Sequence, residues 1–234
     1  MTTERERELF RIIQTLSEVW GLLTVDEQKL LSEDILARKF QKNEIIYQEG
    51  SKPNCLFCLA KGKVKIYKEG IGGRQQIVRM VKPKEFFGYR ASFVGENYIT
   101  EAAAFEDATV LCISLSTARR IITGNNAISI FFMRQLAKHL GNADEHTVSL
   151  TQKHIRGRLA EALFRLKNSF GTIEDGQTLA ITASREDLAN LSNMTTSNAI
   201  RTLSAFAQEG LLKTDGRRIT ILNETELKKI SENG

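Results

Sequence analysis

The sequence predicts an α+β protein whose helices and strands occupy separate parts of the chain. Apolar residues recur at spacings of three and four up to about Leu36, alternate with polar residues between about Phe40 and Ser114, and return to helical spacing from about Ser116. Near the C-terminus, two short β runs flank Asp215-Gly216, which is a strong hairpin signal. We therefore expect helices, an antiparallel β domain, a long helix, and finally short helices with a β-hairpin.

The composition is that of an ordinary globular protein. Of 234 residues, 41% are hydrophobic and 26% charged, and no apolar run has the length of a membrane helix. The charged N-terminus lacks the apolar core of a secretory signal, and three scattered cysteines do not make a disulfide framework. These features predict a cytoplasmic protein with no membrane partner. A net charge of +5 permits a polyanionic partner without requiring one.

The N-terminal half predicts two helical segments followed by short strands. The first helical stripe consists of Leu9, Ile12, Ile13, Leu16 and Trp20. Thr24 is suited to capping a second helix, because Glu27 follows three residues later. Residues 63–66 alternate between polar and apolar, as in a strand. Residues 69–74 interrupt this pattern with three glycines, and residues 75–81 form a second strand. Strands of this length and spacing predict a hairpin within a small antiparallel barrel or sandwich.

Residues 127–150 predict one long helix without proline. Its apolar stripe consists of Ile128, Phe132, Leu136, Leu140, Ala143, Thr147 and Leu150. This stripe could cover the β domain along its whole length, or one part could pair with a second copy of the chain. Gly141 and its polar neighbours weaken the middle of the segment as an autonomous helix.

Residues 184–208 predict two short helices joined by a tight turn. Ser184 is a suitable N-cap for the first, Asn193 tolerates the left-handed conformation that the turn needs, and Thr195 caps the second. We expect the apolar side of the second helix to consist of Ala199, Ile200, Leu203 and Phe206. We expect its other side to carry Thr196, Ser197, Asn198, Arg201 and Thr202. This pattern is typical of a helix-turn-helix, although a plain helical hairpin shares part of it.

The following residues favour the DNA-binding interpretation. Gly210 ends the second helix, and residues 211–214 and 218–221 form two β runs around the Asp-Gly turn. A helix-turn-helix followed by a basic two-stranded hairpin is a winged helix. The predicted DNA-binding residues are Thr195, Thr196, Ser197, Asn198, Arg201, Lys213, Arg217 and Arg218.

The order of these parts and three short motifs resemble the CRP/FNR family of bacterial transcription regulators. The motifs are KNEIIYQEG at residues 42–50, LFCLAKGKV at residues 56–64 and Phe86-Phe87-Gly88. The sequence departs from the family at residues 83–85, Pro-Lys-Glu, where members often have Gly-Asp. The resemblance implies a β-roll sensor domain similar to cyclic-nucleotide-binding domains at residues 1–126, a dimerisation helix at 127–152 and a winged helix-turn-helix domain at 153–234.

The resemblance also implies partners. A homodimer would join along the long helix, with Phe132, Leu136, Leu140 and Ala143 at the seam. Two winged helices related by a two-fold axis would bind double-stranded DNA with a two-fold symmetric operator, because successive major grooves are about 34 Å apart. RNA polymerase and an unknown small-molecule effector are the further partners implied. No enzymatic activity is expected.

The effector segment departs from the members that bind cyclic AMP. The candidate pocket residues are Phe87, Gly88, Tyr89, Arg90, Ile99 and Thr100. Tyr89 stands where those members have a ribose-binding glutamate, and Ile99-Thr100 stand where they have a phosphate-binding Arg-Ser pair. Because isoleucine cannot donate hydrogen bonds to a phosphate, we expect an effector other than cyclic AMP, unless Arg90 substitutes for the missing arginine.

No iron–sulfur cluster, haem or metal site is expected. The iron–sulfur members use four cysteines, typically near the N-terminus, whereas this chain has Cys55, Cys58 and Cys112. Cys55 and Cys58 form a CxxC, but in a strand their side chains point to opposite faces, so we expect buried, inert thiols. We expect His139, His146 and His154 to be solvated or interfacial on helical segments.

Two other functions remain open from sequence alone. The β domain could regulate an enzyme or channel, although the chain contains none of the motifs GxxxxGK[ST], HExxH or GxSxG. Alternatively, a cyclic-nucleotide-type regulatory domain could carry a winged helix that binds proteins and never contacts DNA. The base-reaching side chains of residues 196–201 favour DNA over the second alternative.

Overall fold

The computed structural model describes residues 17–234. Four residues of the predicted N-terminal stripe, Leu9, Ile12, Ile13 and Leu16, lie outside the described residues. The described part divides into two compact units. The first contains residues up to 68 together with 79–140, and the second contains residues 69–78 together with 141–234.

The first unit begins with two helices, α1 (Ser17–Trp20) and α2 (Val25–Asp34). Thr24 forms the predicted capping box: its hydroxyl accepts from the Glu27 backbone N–H at 3.3 Å, and the Glu27 carboxylate accepts from the Thr24 N–H at 2.8 Å. This reciprocal pair sets the start of α2.

Eight strands form two four-stranded antiparallel sheets. The strands are β1 (Leu36–Phe40), β2 (Ile45–Tyr47), β3 (Cys55–Lys61), β4 (Val64–Glu69), β5 (Gln75–Val81), β6 (Phe86–Phe87), β7 (Glu101–Ala104) and β8 (Ala108–Ser114). One sheet has the order β1-β8-β3-β6 and the other β2-β7-β4-β5. The predicted hairpin between β4 and β5 is confirmed, with a short 3₁₀ helix, Ile71–Gly73, at its tip.

Two apolar layers pack against opposite faces of the first sheet. The interior layer fills the space between the sheets, and its ring stack consists of Tyr47, Phe57, Phe87 and Tyr98. The helix-facing layer joins β3, β6 and β8 to α2, α4 (Leu115–Gly124) and the start of α5 (Asn126–Gln152). A short helix, α3 (Tyr89–Val94), follows β6 and places the Tyr89 ring in the helix-facing layer.

Helix α5 runs without a break for 27 residues and matches the predicted long helix. The side-chain carbonyl of Asn125 accepts from the backbone N–H groups of Ala127 and Ile128, at 3.0 and 3.2 Å, and so caps its first turn. Gly141 does not interrupt the helix. The boundary between the two compact units falls within α5, between Leu140 and Gly141.

The second unit contains the C-terminal elements. These are α6 (Ile155–Phe170), α7 (Arg185–Ser192), α8 (Thr196–Gln208), β9 (Leu212–Asp215), β10 (Arg218–Ile221) and α9 (Glu224–Asn233). β9 and β10 pair antiparallel with Asp215 opposite Arg218, so the hairpin is confirmed and its turn residues are Gly216 and Arg217. No helix within residues 17–234 is both long and apolar enough to cross a membrane.

Candidate nucleic-acid interface

Helices α7 and α8 form the predicted helix-turn-helix. Ser184 and Asp187 cap α7 reciprocally, since each backbone N–H donates to the other residue's side chain at 3.0 Å. Asn193 ends α7 at φ 49° and ψ 57°, the left-handed conformation expected of it. Thr195 then caps α8, with its hydroxyl accepting from the Asn198 N–H at 3.2 Å.

The buried side of α8 differs from the predicted one at two positions. The side chains that pack inward are Ala199, Thr202, Leu203 and Phe206, which follow the spacing i, i+3, i+4, i+7 of one helix face. Thr202 is only 6% exposed, whereas Ile200 is 46% exposed. The prediction placed both by polarity, and it was wrong because helical position decides which side chains face the core.

The exposed side of α8 carries short polar groups and one arginine. Thr196, Ser197 and Arg201 are exposed and Asn198 is half-buried. Arg201 donates a hydrogen bond to the Asn198 side-chain carbonyl, which directs the guanidinium along the helix toward its N-terminus. The first-turn N–H groups at that terminus favour negative charge, and arginine is suited to guanine N7 and O6. This surface can therefore contact both phosphates and base edges.

The hairpin after α8 exposes three cations. Leu212, Ile219 and Ile221 are buried and fix the hairpin on the helices. Lys213, Arg217 and Arg218 are exposed on its strands and turn. The hairpin is a wing with positive charge available for a polyanion.

Comparisons with known proteins agree with this architecture. A cyclic nucleotide-binding domain model matches residues 37–125, and a Crp-like helix-turn-helix domain model matches residues 157–230. The chain belongs to the CRP/FNR family. It is a DNA-binding transcription regulator of that type, and the relatives it resembles are regulators and not enzymes.

Individual CRP/FNR relatives are distant but cover most of the chain. The CRP-like cAMP-activated global transcriptional regulator of Mycobacterium tuberculosis is 23% identical over 201 residues, which are 85% of this chain and 89% of that protein. The anaerobic regulatory protein of Bacillus subtilis is 25% identical over 207 residues, with coverages of 88% and 87%. The structure of FixK2 from Bradyrhizobium japonicum has a TM-score of 0.76 at 23% identity and covers 84% of this chain and 96% of that one.

In this CRP/FNR chain, the structure places the predicted effector-pocket residues in both apolar layers and at the surface. Phe87 lies in the interior layer, and the Thr100 hydroxyl lies 3.4 Å from that of Tyr47. Tyr89, by contrast, faces the helices and packs on the rings of Phe93 and Phe132.

The remaining three pocket residues lie at or near the surface. Gly88 adopts φ 78° at the start of α3, and a Cβ there would lie 2.8 Å from the Phe57 ring, so only glycine fits. Arg90 is exposed and lies 3.4 Å from the Glu96 carboxylate, and Ile99 is also exposed. Arg90 therefore forms a surface ion pair with Glu96.

The structure separates the cysteines of the CxxC. Cys58 is buried in the helix-facing layer and Cys55 packs against the interior layer, as the alternation of a strand predicts. Burial raises the pKa of both thiols, and that of Cys112 to about 11. Within residues 17–234, no three His, Cys, Asp or Glu side chains are grouped so that they could hold a metal ion.

Two of the three histidines are half-buried and the third is exposed, where the prediction allowed solvated or interfacial positions. Burial, with the nearby Arg79 and Lys138, lowers the pKa of His139 to about 4. His146 Nδ1 lies 2.9 Å from an Arg165 guanidinium nitrogen, between α5 and α6. His154 is exposed and is the N-cap residue of α6.

The predicted dimer-seam residues differ in how exposed their side chains are. Phe132 is only 3% exposed and packs on Phe86 and Tyr89, so its side chain belongs to the core of its own chain. Leu136 is half-buried against the same layer. Leu140, at 65% exposed, and Ala143 are available on the surface of α5.

Proposed function

We propose that this regulator is a homodimer that binds a two-fold symmetric operator and responds to an effector other than cyclic AMP. The observation that carries the proposal is the capped N-terminus of α8 with its exposed polar face, next to a wing with three exposed cations. We further propose that the operator-bound dimer acts on RNA polymerase.

The residues of the helix and the wing have different roles in this proposal. Arg201 donates to a guanine edge, and Thr196, Ser197 and Asn198 contact neighbouring bases or phosphates. Lys213, Arg217 and Arg218 neutralise phosphates and carry no sequence preference. The Thr195 cap fixes the direction in which the first turn of α8 points.

The test of DNA reading is selection of binding sites from a random duplex library. Arg201→Ala should relax preference at one symmetric base pair and cost about 1 to 3 kcal/mol per half-site. Arg217→Ala or Lys213→Ala should weaken binding to all sequences alike. Each should also reduce the slope of log affinity against log salt concentration by about one unit for each phosphate that is no longer neutralised. Identical preferred sequences for Arg201→Ala and the wild type would remove Arg201 from the reading role. A wild type that enriches no sequence would favour the protein-binding alternative.

The exposed surface of α5 supports the dimer. Met133 and Leu140 are exposed apolar residues seven positions apart, so they lie on one helix face, with Ala137 between them. Leu140→Glu should weaken dimerisation without disturbing the fold, because the side chain is free in the single chain. Leu136→Glu would also damage the helix-facing layer and is the poorer test. Sedimentation of Leu140→Glu as a dimer at wild-type concentration dependence would place the interface elsewhere.

The effector proposal rests on the β-roll residues. Ile99 offers no donor to a phosphate, Tyr89 is buried among aromatic rings, and Arg90 pairs with Glu96 at the surface. Isothermal titration with cyclic AMP should therefore give no specific binding. Tight, stoichiometric binding would overturn this part of the proposal and leave the DNA-binding part intact.

A further inference from the structure

The exposed face of α8 contains one side chain that the polar contacts described above do not use. Ser197, Ile200, Arg201 and Ser204 are all exposed and follow the spacing i, i+3, i+4, i+7. They form the face directly opposite the buried one. Ile200 thus lies among the side chains that would enter a major groove, and 46% of its surface is free.

Single exposed apolar residues are common on protein surfaces, so exposure alone does not give Ile200 a role. The position of Ile200 on the helix does indicate a role. Within α8, all of which the structure describes, Ile200 is the one large apolar side chain that faces solvent. A β-branched residue at an exposed helix position also lowers helix propensity.

The neighbouring arginine leaves the surface around Ile200 open. Arg201 bonds to Asn198, and both lie toward one edge of the exposed face. Ile200 lies one residue earlier, about 100° around the helix from Arg201, toward the other edge. The face is therefore divided into a donor side at Arg201 and an apolar side at Ile200.

The major groove offers one apolar group, the C5-methyl of thymine. We infer that Ile200 contacts the C5-methyl group of a thymine in each half-site and so selects a T·A pair there. The inference rests on the proposed reading of DNA by α8, and it adds a second specificity-determining residue beside Arg201. Isoleucine makes no hydrogen bond, so its preference derives from the methyl contact alone.

The test replaces each thymine of the selected operator by deoxyuridine, which removes the methyl group and keeps base pairing unchanged. For the wild type, uracil at one symmetric position should weaken binding by about fourfold per half-site, the effect of one buried methyl group. For Ile200→Ala, uracil at the same position should have no effect. Ile200→Val should retain part of the discrimination.

Ser204→Ala serves as the matched control, because it alters the same face and keeps the isoleucine. It should show the full wild-type response to uracil, and thermal melts should confirm that all variants are folded. The difference between the wild type and Ile200→Ala isolates the contact from any general effect of uracil on the duplex. Equal weakening of both proteins, or of neither, would overturn the inference. A wild type that selects a sequence but ignores every methyl would overturn it and leave the proposed function standing. A wild type that selects no sequence would overturn both.

Discussion

Arg156 and Glu209 form a bidentate ion pair that joins the first turn of α6 to the end of α8. Two guanidinium nitrogens donate to the two carboxylate oxygens, at 2.8 and 2.7 Å. The guanidinium also lies over the Phe206 ring, 4.8 Å from its centroid. The pair therefore connects the C-terminal end of α8 to the first turn of α6.

Replacing Arg156 by lysine should lower the free energy of unfolding by about 0.5 kcal/mol at pH 7. Lysine keeps the charge and loses the planar fork, and an exposed pair contributes only modestly. Urea unfolding measures the change. Lys228→Ala is the matched control, because it breaks a surface pair with an N–O distance of 3.8 Å and should have no measurable effect.

The pH dependence of this stability difference distinguishes the ion pair with Glu209 from the contact of Arg156 with the Phe206 ring. The hydrogen bonds from Arg156 lower the pKa of Glu209 below its usual 4.5. Because the folded pKa is lower than the unfolded one, this contribution is present above pH 4.5 and is lost as the pH falls through the folded value. The difference between the wild type and Arg156→Lys should therefore shrink in acid. A difference that stays constant would assign the effect to packing on Phe206.

The contact between His146 and Arg165 should make the second unit sensitive to mild acid. Arg165 has only donors, so His146 Nδ1 accepts the bond at 2.9 Å and the ring must be neutral. Burial and the Arg165 charge lower the pKa of His146 from 6.5, against the opposing effect of Glu161. The unfolded state then binds more protons, so the free energy of unfolding should fall as the pH drops below 6.5.

Thermal melts between pH 7.5 and 5.0 measure this effect. His146→Gln retains an acceptor for Arg165 and does not titrate, so its melting temperature should fall less than that of the wild type. His139 is unchanged in both proteins, so its own acid sensitivity cancels in the comparison. His154→Gln, at an exposed position, should behave like the wild type. Parallel curves for the wild type and His146→Gln would contradict the prediction.

Removing the α8 cap should destabilise the protein by about 1 kcal/mol. Thr195→Ala loses the acceptor for the Asn198 N–H, whereas Thr195→Ser keeps it and should stay close to the wild type. Thr196→Ala changes the next exposed residue without touching the cap and should have little effect on stability. Urea unfolding of the wild type and the three variants at one pH measures the order of their stabilities. If Thr195→Ala and Thr196→Ala cost the same, the cap does not stabilise α8.

Features set by neighbouring residues can be predicted from sequence. Thr24, Ser184 and Thr195 are recognisable as caps because the residues that complete each cap lie within three positions. Asn193 is recognisable as the turn residue because few residue types tolerate that backbone conformation. The alternation of β3 likewise predicts the opposite orientations of Cys55 and Cys58.

Features set by packing between distant segments could not be predicted. Phe132 belongs to the core because β6 and α3 place Phe86 and Tyr89 beside it, and no local pattern contains that information. The contacts of Arg156 with Glu209 and of His146 with Arg165 join residues 53 and 19 positions apart. Ile200 could have been placed correctly, since Ala199, Thr202, Leu203 and Phe206 already occupy the spacing of one face.

The native protein should react slowly with thiol reagents. Cys58 and Cys112 are buried and Cys55 is partly buried. Burial raises the pKa of Cys55 despite the opposing charge of Arg38, so little reactive thiolate forms at pH 7.5. Labelling with Ellman's reagent should be far slower than that of free glutathione, and unfolding in urea should make all three thiols reactive together.

Cys55→Ser should remove the most accessible thiol and reduce the slow reaction of the folded state. Rapid labelling of one thiol without denaturant, retained in Cys55→Ser, would show that a cysteine buried in the sheet is accessible and reactive.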